Sequence, residues 1–219
     1  MKKVFSILLL LALVSAGAFA QDFALSAGGG ALLDYSSNNG MKSGSEYMGM
    51  SIFGIGGYGF LDATYAVLDV SFAYGSLTNV EKPTAVPSDQ KDAGSQMVLG
   101  FSLMGKYPVD MGFATIFPLV GINYNFVLSQ KDKDGNKFSD EPGNLWKESD
   151  LSQFGILAGV GGDFDISDSL YFRAQALFHL RFPSKYMKDM ASLFKLLDSN
   201  ISATYGMGPR IQLGVGYRF

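Results

Sequence analysis

The chain has 219 residues, with 17 lysines and arginines against 20 aspartates and glutamates and no cysteine. The absence of cysteine excludes disulfides, thiolate metal sites and a lipoprotein anchor. The acidic balance excludes a nucleic-acid partner, which would need a basic face. Glycine, at 27 residues, and aromatic residues, at 14%, are both abundant, so this apolar chain must either bury a large core or meet lipid.

The first twenty residues have the three parts of a secretory signal peptide. A basic start at Lys2 and Lys3 precedes an apolar run, and the run ends at the small-residue site Ala18-Phe19-Ala20. We expect cleavage before Gln21, which leaves a single domain over 21–219 with 15 basic and 20 acidic residues, a net charge of −5. An uncleaved anchor is disfavoured because the apolar run is short for a spanning helix. No run of eighteen apolar residues follows it, so we expect no transmembrane helix.

Eight segments in which apolar and polar residues alternate then follow in chain order, and each predicts a strand. The seventh segment is the clearest, because its even positions from Leu170 to Phe182 are all apolar and its odd positions are mostly polar. A sheet with one apolar and one polar face produces this pattern. The predicted strands are Asp22–Tyr35, Tyr47–Phe60, Ala63–Gly75, Ser95–Tyr107, Phe113–Leu128, Ser152–Ile166, Leu170–Phe182 and Thr204–Phe219.

The links between these strands alternate between short and long. The short ones are Leu61-Asp62, Pro108 to Gly112 and Ser167 to Ser169, and the long ones are Ser36–Glu46, Ser76–Gly94, Ser129–Leu151 and Pro183–Ala203. All tight turns therefore fall at one end of the sheet and all long loops at the other. This is the topology of an up-and-down barrel in an outer membrane, with short periplasmic turns and long external loops.

Strand length and barrel volume indicate that the apolar face meets lipid. A strand of about thirteen residues at roughly 3.3 Å each spans about 30 Å when tilted, which matches a bilayer's hydrocarbon core. A soluble, lipocalin-like barrel would have to hold its many phenylalanines inside, and an eight-stranded interior is too narrow for them. The polar face then points inward as a lumen network, which we predict to comprise Asp69, Lys106, Asp163, Asp165, Arg173, Gln175, His179, Arg181, Arg210, Gln212 and Arg218.

Three stretches resemble the small bacterial outer-membrane barrels of the OmpA, OmpX and OmpW-like superfamily. They are "FPLVGINYNF" from Phe117, the hairpin sequence from Gly159 to Phe178, and the terminal "GVGYRF". The resemblance implies an all-β fold, an eight-stranded antiparallel up-and-down transmembrane β-barrel in the bacterial outer membrane, with the lipid bilayer as its surroundings. It also implies that the closing aromatic residues Tyr217 and Phe219 are a signal for the outer-membrane insertion machinery.

The last long link contains a helical pattern. Met187, Met190, Phe194 and Leu197 lie on one apolar face of a predicted amphipathic helix within Ser184–Asn200. Two roles remain open: the helix either caps the barrel mouth as an adaptable methionine-containing lid or lies on the membrane surface.

His179 is the only histidine, so a site with two or more imidazole ligands cannot be built within one chain. Some barrels that resemble this one are enzymes with catalytic groups near the loop end. No serine or aspartate of this chain lies in a recognisable motif with His179, so we predict a protein that is not an enzyme and that has no cofactor and no metal.

Two loop features are left open by the sequence. Asp132, Asp134 and Asn136 are spaced like ligands of a calcium loop, but Lys137 stands where the EF-hand pattern requires glycine. A solvated loop is therefore favoured over a weak calcium site. Trp146, the only tryptophan, is either an interface anchor or a contact for a partner.

The function that the resemblance favours is an OmpW-like barrel for the binding or passage of small apolar compounds, carried by the loop helix and the mouth. The alternative is an OmpA/OmpX-like structural or adhesive protein that recognises a host surface molecule through its long loops. An open porin is disfavoured because an eight-stranded lumen is filled by side chains.

Overall fold

The computed structural model describes residues 24–82, 92–140 and 145–219, and the predicted signal peptide over residues 1–20 lies outside them. Most of the described chain is β-strand. The elements in chain order are β1 (Leu25–Ser43), β2 (Glu46–Ala63), β3 (Ala66–Lys82), β4 (Asp92–Lys106), β5 (Val109–Asp110), β6 (Ala114–Lys131), two 3₁₀ turns (Phe138–Asp140 and Glu148–Leu151), β7 (Gln153–Asp165), β8 (Leu170–Arg181), α1 (Lys185–Phe194), β9 (Ser202–Ala203) and β10 (Gly206–Arg218).

Eight long strands close into a ring. Each pairs antiparallel with the next long strand along the chain, in the order β1, β2, β3, β4, β6, β7, β8 and β10. The ring closes where β10 pairs with β1, from Ser26 opposite Arg218 to Ser37 opposite Met207. The two short strands β5 and β9 pair with β6 and β1. The predicted eight-stranded antiparallel up-and-down barrel is confirmed.

The outward face carries an apolar band, as the alternation predicts. On β1 the exposed apolar residues run from Leu25 through Leu33 to Tyr35. Ten residues at about 3.3 Å each, tilted by about 40°, give a band roughly 25 Å tall, the height of a membrane barrel's lipid-facing belt. Five of the phenylalanines that the sequence assigns to lipid are exposed on this face: Phe101, Phe126, Phe154, Phe172 and Phe178.

The links between β2 and β3, between β4 and β6 and between β7 and β8 lie together at one end of the barrel, which we call the turn end; the opposite end is the loop end. The link between β2 and β3 is at Thr64 and Tyr65, so its predicted position at Leu61-Asp62 is wrong. Thr64 adopts a left-handed φ of 49°, and its hydroxyl hydrogen-bonds the backbone of Ala24 at the start of β1. These contacts hold the turn at Thr64 although a non-glycine residue is costly there.

The predicted long link Ser36–Glu46 is also wrong, because most of it is strand. After a bulge between Ser36 and Asn39, β1 continues to Ser43 and pairs with β2 up to Glu46. Only Gly44 and Ser45 form the turn, and Gly44 has a φ of 55°. The segment lies beyond the apolar band, where its outward face meets water instead of lipid, so it lacks the alternation that identifies a membrane strand.

The wall of the barrel is tall on one side and short on the other. β1, β2, β3 and β6 have 17 to 19 residues, whereas β7, β8 and β10 have 12 or 13. The exposed upper edges of the tall strands are covered: β9 pairs with Met41 and Lys42 of β1, and Lys137 bridges to Lys131 of β6. The loops before β7 and before β10 thus replace the missing wall and protect the strand edges.

Helix α1 confirms the helical pattern but is shorter than predicted. It ends at Phe194, not Asn200, and its N-cap Ser184 accepts a hydrogen bond from the Met187 backbone N–H. Leu197 therefore lies outside the helix, 85% exposed, instead of on its apolar face. The chain leaves the helix because Asp198 binds the Ser43 hydroxyl and β9 then pairs with β1. No helix in the described ranges is both long and apolar enough to span a bilayer.

Candidate functional site

A cluster of four charged side chains fills the lumen near the turn end. Asp62 of β2 accepts hydrogen bonds from Lys106 of β4, with Nζ and Oδ2 2.6 Å apart, and from Arg173 of β8. Arg173 also donates from Nε and Nη2 to both carboxylate oxygens of Asp163 on β7, at 2.6 Å each. We call Asp62, Lys106, Asp163 and Arg173 the turn-end cluster. It ties four strands together across the lumen, and its two acids balance its two bases.

The rings of Phe60, Phe117 and Tyr171 pack around the Arg173 guanidinium inside the lumen. The guanidinium lies 4.3 Å from the ring centre of Phe60 and 5.2 Å from that of Phe117. Tyr171, beside it, shares a hydrogen bond of 2.8 Å with Ser26 of β1. Cation–π contacts of desolvated arginine strengthen the cluster, so the lumen is closed here by packed side chains as well as by charge.

A second cluster lies closer to the loop end. Asp34 of β1 accepts hydrogen bonds at Oδ2 from Arg181 of β8, at 2.7 Å, and from Arg210 of β10, at 2.8 Å. His179 Nδ1 lies 3.3 Å from Asp34 Oδ1 but is not aligned as a hydrogen bond. Nearby, Gln212 donates to Asp69 of β3 at 2.6 Å. We call Asp34, His179, Arg181 and Arg210 the loop-end cluster.

The predicted lumen residues fall into two groups in the structure. Nine of them have buried side chains inside the barrel: Asp69, Lys106, Asp163, Arg173, Gln175, His179, Arg181, Arg210 and Gln212. The other two, Asp165 and Arg218, pair at 2.7 Å but are 50% and 32% exposed. Both occupy inward-facing positions of their strands, and the Arg218 guanidinium lies 4.7 Å from the ring centre of the buried Tyr171. They lie on the turn-end rim, where the barrel opens to water, and not among the buried residues of the lumen.

Sequence reasoning missed two acids that hold the clusters together. Asp34 lies between the outward Leu33 and Tyr35, so the alternation of β1 could have identified it. Asp62 is only 2% exposed, but the sequence pattern assigns it to the turn at Leu61-Asp62 and so does not predict it as a lumen residue. Without these two carboxylates, the predicted network had too few acids to pair its buried arginines.

One small gap lies between the side chains of the lumen near the loop end. A cavity of about 20 Å³ lies against the loop-end cluster, lined by Leu32, Ile52, Val98, Arg181 and Arg210 among others. A cavity of this size holds roughly one water molecule. The lumen is therefore too full at this level for an organic compound to pass.

Above the loop-end cluster, the inner face of the tall wall carries an apolar patch beside the buried polar residues Ser36 and Asn39 of β1. The pairing of β2 with β3 is unbroken from Tyr47 to Ala63, so Met48, Met50 and Ile52 share the inward face of the buried Asp62. Met41 of β1 lies opposite Met48, and the buried Leu77 of β3 lies opposite Ile52. We call the space bounded by Met41, Met48, Met50, Ile52 and Leu77 the vestibule.

The loops on the short side of the vestibule are clamped to each other. The Tyr186 ring of α1 meets Phe138 and Trp146 edge-on, with ring centres 5.2 and 5.3 Å apart. A hydrogen bond from Lys185 lowers the pKa of Asp189, and a hydrogen bond from Trp146 adds a smaller effect in the same direction. Trp146 is thus a clamp between two loops. Met187 and Ala191 are the buried residues of α1, and the helix contacts the second 3₁₀ turn, β9 and β1.

The acidic loop after β6 folds on itself. Both oxygens of Asp132 accept hydrogen bonds within the loop, from the backbone N–H groups of Asp134 and Asn136 and from the Asn136 amide. These bonds lower the pKa of Asp132, the Asn136 side chain contributing most. In the part of the chain that the structure describes, no three histidine, cysteine or acidic side chains come together as metal ligands.

An antiparallel ring of eight strands with an apolar outer band and a charged, closed lumen defines an integral β-barrel of the bacterial outer membrane. The sequence supports this class directly. The family described as "Outer membrane protein beta-barrel domain" matches residues 6–219, and the chain belongs to that family. A search among curated proteins found no match.

Three solved outer-membrane proteins are similar in structure at low sequence identity. OprG from Pseudomonas aeruginosa is 12% identical with a TM-score of 0.48, covering 90% of this chain and 96% of its own. A major outer membrane protein from Thermus thermophilus is 15% identical with a TM-score of 0.45, covering 90% and 99%. Ail, the attachment invasion locus protein of Yersinia pestis in complex with the heparin analogue sucrose octasulfate, is 14% identical with a TM-score of 0.39, covering 91% and 100%.

Proposed function

We propose that the protein binds small apolar compounds in the vestibule, in the manner expected of an OmpW-like barrel, and does not pass them along the lumen. The observation that carries this proposal is the apolar inner wall of Met41, Met48, Met50 and Ile52 directly above a lumen closed by ion pairs. Methionine side chains are flexible and polarisable, which suits a site that accepts compounds of varied shape.

Helix α1 supports the same proposal as a flank of the vestibule. The role of a lid fits its contacts better than a position on the membrane, because the chain after α1 is joined to the tip of the β1–β2 hairpin through Asp198 and Ser43. That tip lies eight residues beyond Tyr35 along β1, roughly 15–20 Å above the apolar band for a tilted strand. Binding is therefore expected to weaken when Ser184–Asn200 is deleted.

The test places a charge on the vestibule wall and measures binding of an uncharged fluorescent dye to the barrel in lipid nanodiscs. Met50→Asp is expected to weaken binding at least tenfold, because it places a charge against the uncharged dye. Ser51→Asp is the matched control, since it puts the same charge on the outward face of the same strand. Equal affinity of both variants would overturn the proposal.

Conductance separates binding from passage. Because both clusters cross the lumen, the protein in a planar bilayer is expected to show no steady ion current at neutral pH. A stable open channel formed by the unmodified chain would contradict the closed lumen. The same result would restore passage of compounds along the barrel as a candidate function.

The second candidate is a structural or adhesive surface protein that binds a host surface molecule through its loops. The specific observation in its favour is a set of exposed leucines on the two clamped loops: Leu145 is 87% exposed, and Leu193, Leu196 and Leu197 are also exposed. Exposed apolar side chains of this kind are typical of protein contact sites. Binding of whole cells to host surfaces should then fall in a Leu196→Ser/Leu197→Ser variant whose dye binding is unchanged.

We infer that the protein is not an enzyme. His179 is fully buried between Arg181 and Arg210, and among the residues that the structure describes neither of its ring nitrogens has a hydrogen-bond partner that could act as a nucleophile. Lipid deacylation by the purified barrel, abolished in His179→Ala, would contradict this inference. We also propose that Tyr217 and Phe219 are read by the outer-membrane insertion machinery, since both are exposed at the turn end.

A further inference from the structure

Three of the ten methionines of this chain fall within ten residues, in the segment Met41 to Met50. Met48 and Met50 are two positions apart on β2, so their side chains leave the same face of the sheet. Met41 lies directly opposite Met48 on β1, and directly opposed residues of an antiparallel pair share a face. The strands therefore bring three thioethers to one side of the β1–β2 hairpin.

The spacing suits a single small ligand. Opposed residues have Cβ atoms about 4.5–5.5 Å apart, and diagonal neighbours are about 7–8 Å apart. A methionine side chain reaches several ångströms from its backbone and has three rotatable bonds. The three sulfur atoms can thus meet above the sheet without any change of backbone, and Met48 is half-exposed, so the site is open from the loop end.

Thioether sulfur is a soft, uncharged ligand that selects soft metal ions over Zn²⁺, Mg²⁺ or Ca²⁺. We propose that Met41, Met48 and Met50 form a site for a soft monovalent metal ion such as Cu(I). No covalent or redox step is involved, because the ion binds in the oxidation state in which it arrives. The site does not depend on the binding of apolar compounds, although both use the same wall of the vestibule.

The composition of the chain makes this proposal testable. It contains no cysteine and a single histidine, and that histidine is fully buried in the loop-end cluster. Tight binding of a soft ion must therefore use thioethers. Of the six other described methionines, Met104 is buried in the lumen, Met111 is exposed at the turn end, and Met97 and Met207 are exposed on the outward face, so none of these four can join the hairpin site. Met187 and Met190 belong to α1.

The experiment titrates the folded barrel with Ag(I), a redox-stable substitute for Cu(I), and follows binding by calorimetry. The variant Met41→Leu/Met48→Leu/Met50→Leu keeps the apolar volume and removes the sulfur atoms. We expect one tight Ag(I) site in the native chain, an affinity at least 100-fold lower in the triple variant, and no change in the control Met111→Leu. Zn²⁺ is expected not to bind at this site.

The outcomes distinguish this site from the proposed function. Unchanged Ag(I) affinity in the triple variant, or Zn²⁺ binding that the triple variant abolishes, would overturn the soft-metal site. Dye binding should survive the leucine substitutions, because leucine keeps the wall apolar. If the native chain binds Ag(I) but does not bind the dye, only the proposed function is contradicted. Heat-modifiable gel migration confirms that each variant is folded.

Discussion

Replacing Asp62 with asparagine is expected to destabilise the barrel by about 3–5 kcal/mol, the usual cost of removing one partner from a buried ion pair. The carboxylate is buried and receives both the Lys106 ammonium, at 2.6 Å, and the Arg173 guanidinium. Asparagine keeps the shape of the side chain and removes its charge. Arg173 would retain Asp163, but Lys106 would be left buried without its counter-ion. The assay is urea unfolding in lipid vesicles, followed by circular dichroism.

Asp165→Asn is the matched control for this prediction. Asp165 pairs with Arg218 at a similar distance, 2.7 Å, but on the exposed rim, where water screens the pair and its loss costs about 0–1 kcal/mol. The double variant Asp62→Asn/Lys106→Met should be more stable than Asp62→Asn alone, because it leaves no unpaired charge. Equal losses of stability for Asp62→Asn and Asp165→Asn would refute the conclusion that the turn-end cluster is shielded from water.

Three further predictions concern the chain end and the loops. Phe219→Ala should lower the yield of folded protein in the outer membrane of cells while the purified chain still refolds in detergent; normal yield would remove the role in insertion. Trp146→Ala should speed tryptic cleavage within α1 without changing barrel unfolding, since Trp146 clamps Tyr186; an unchanged cleavage rate would show that the clamp does not hold the helix. The hydrogen bond from Ser43 lowers the pKa of Asp198, so the tether is present above about pH 4 and is lost as pH falls through that lowered value. Hydrogen exchange in β9 should therefore rise in acid, and Asp198→Asn should remove the pH dependence; the same rise in the variant would exclude the carboxylate.

Within the membrane, the sequence predicts the fold well because lipid enforces the alternation. The outward positions of β8 face acyl chains and its inward positions are buried inside the barrel, so its burial follows the predicted period from Tyr171 to Arg181. A charge on the lipid face near mid-bilayer would cost roughly 2–4 kcal/mol. Because of this cost, charged residues stay on the inward face and the alternation in the sequence predicts the strand's orientation. The positions of Arg173, Gln175 and His179 follow from it directly.

Outside the apolar band, that penalty disappears and the predictions fail. Ser36 to Ser43 is strand because it pairs with β2, which no local pattern of its residues indicates. The early end of α1 is likewise decided by distant partners, since Asp198 binds Ser43 and Ser202 pairs with Lys42. The turn at Thr64 rather than Asp62 depends on Lys106 and Arg173, which draw the Asp62 carboxylate inward. These contacts join residues far apart in the sequence, and periodicity cannot report them.

The vestibule, the loop-end cluster and the turn-end cluster follow one another along the barrel axis, and this order determines whether a bound compound can pass through the barrel. A molecule moving from Met50 toward the turn end would have to part the ion pairs of Asp34 and then those of Asp62. At about 3–5 kcal/mol for each level, passage would be slower than return to the outside by about 10⁴- to 10⁷-fold. Dye added outside vesicles that contain the barrel should therefore bind but not accumulate within. Because the loop-end cluster still closes the lumen, Asp62→Asn/Lys106→Met should raise that flux by no more than the contribution of one level, about 10²- to 10⁴-fold, and inward passage should stay slower than return to the outside. Inward passage as fast as return in this variant would show that the turn-end cluster is the only barrier.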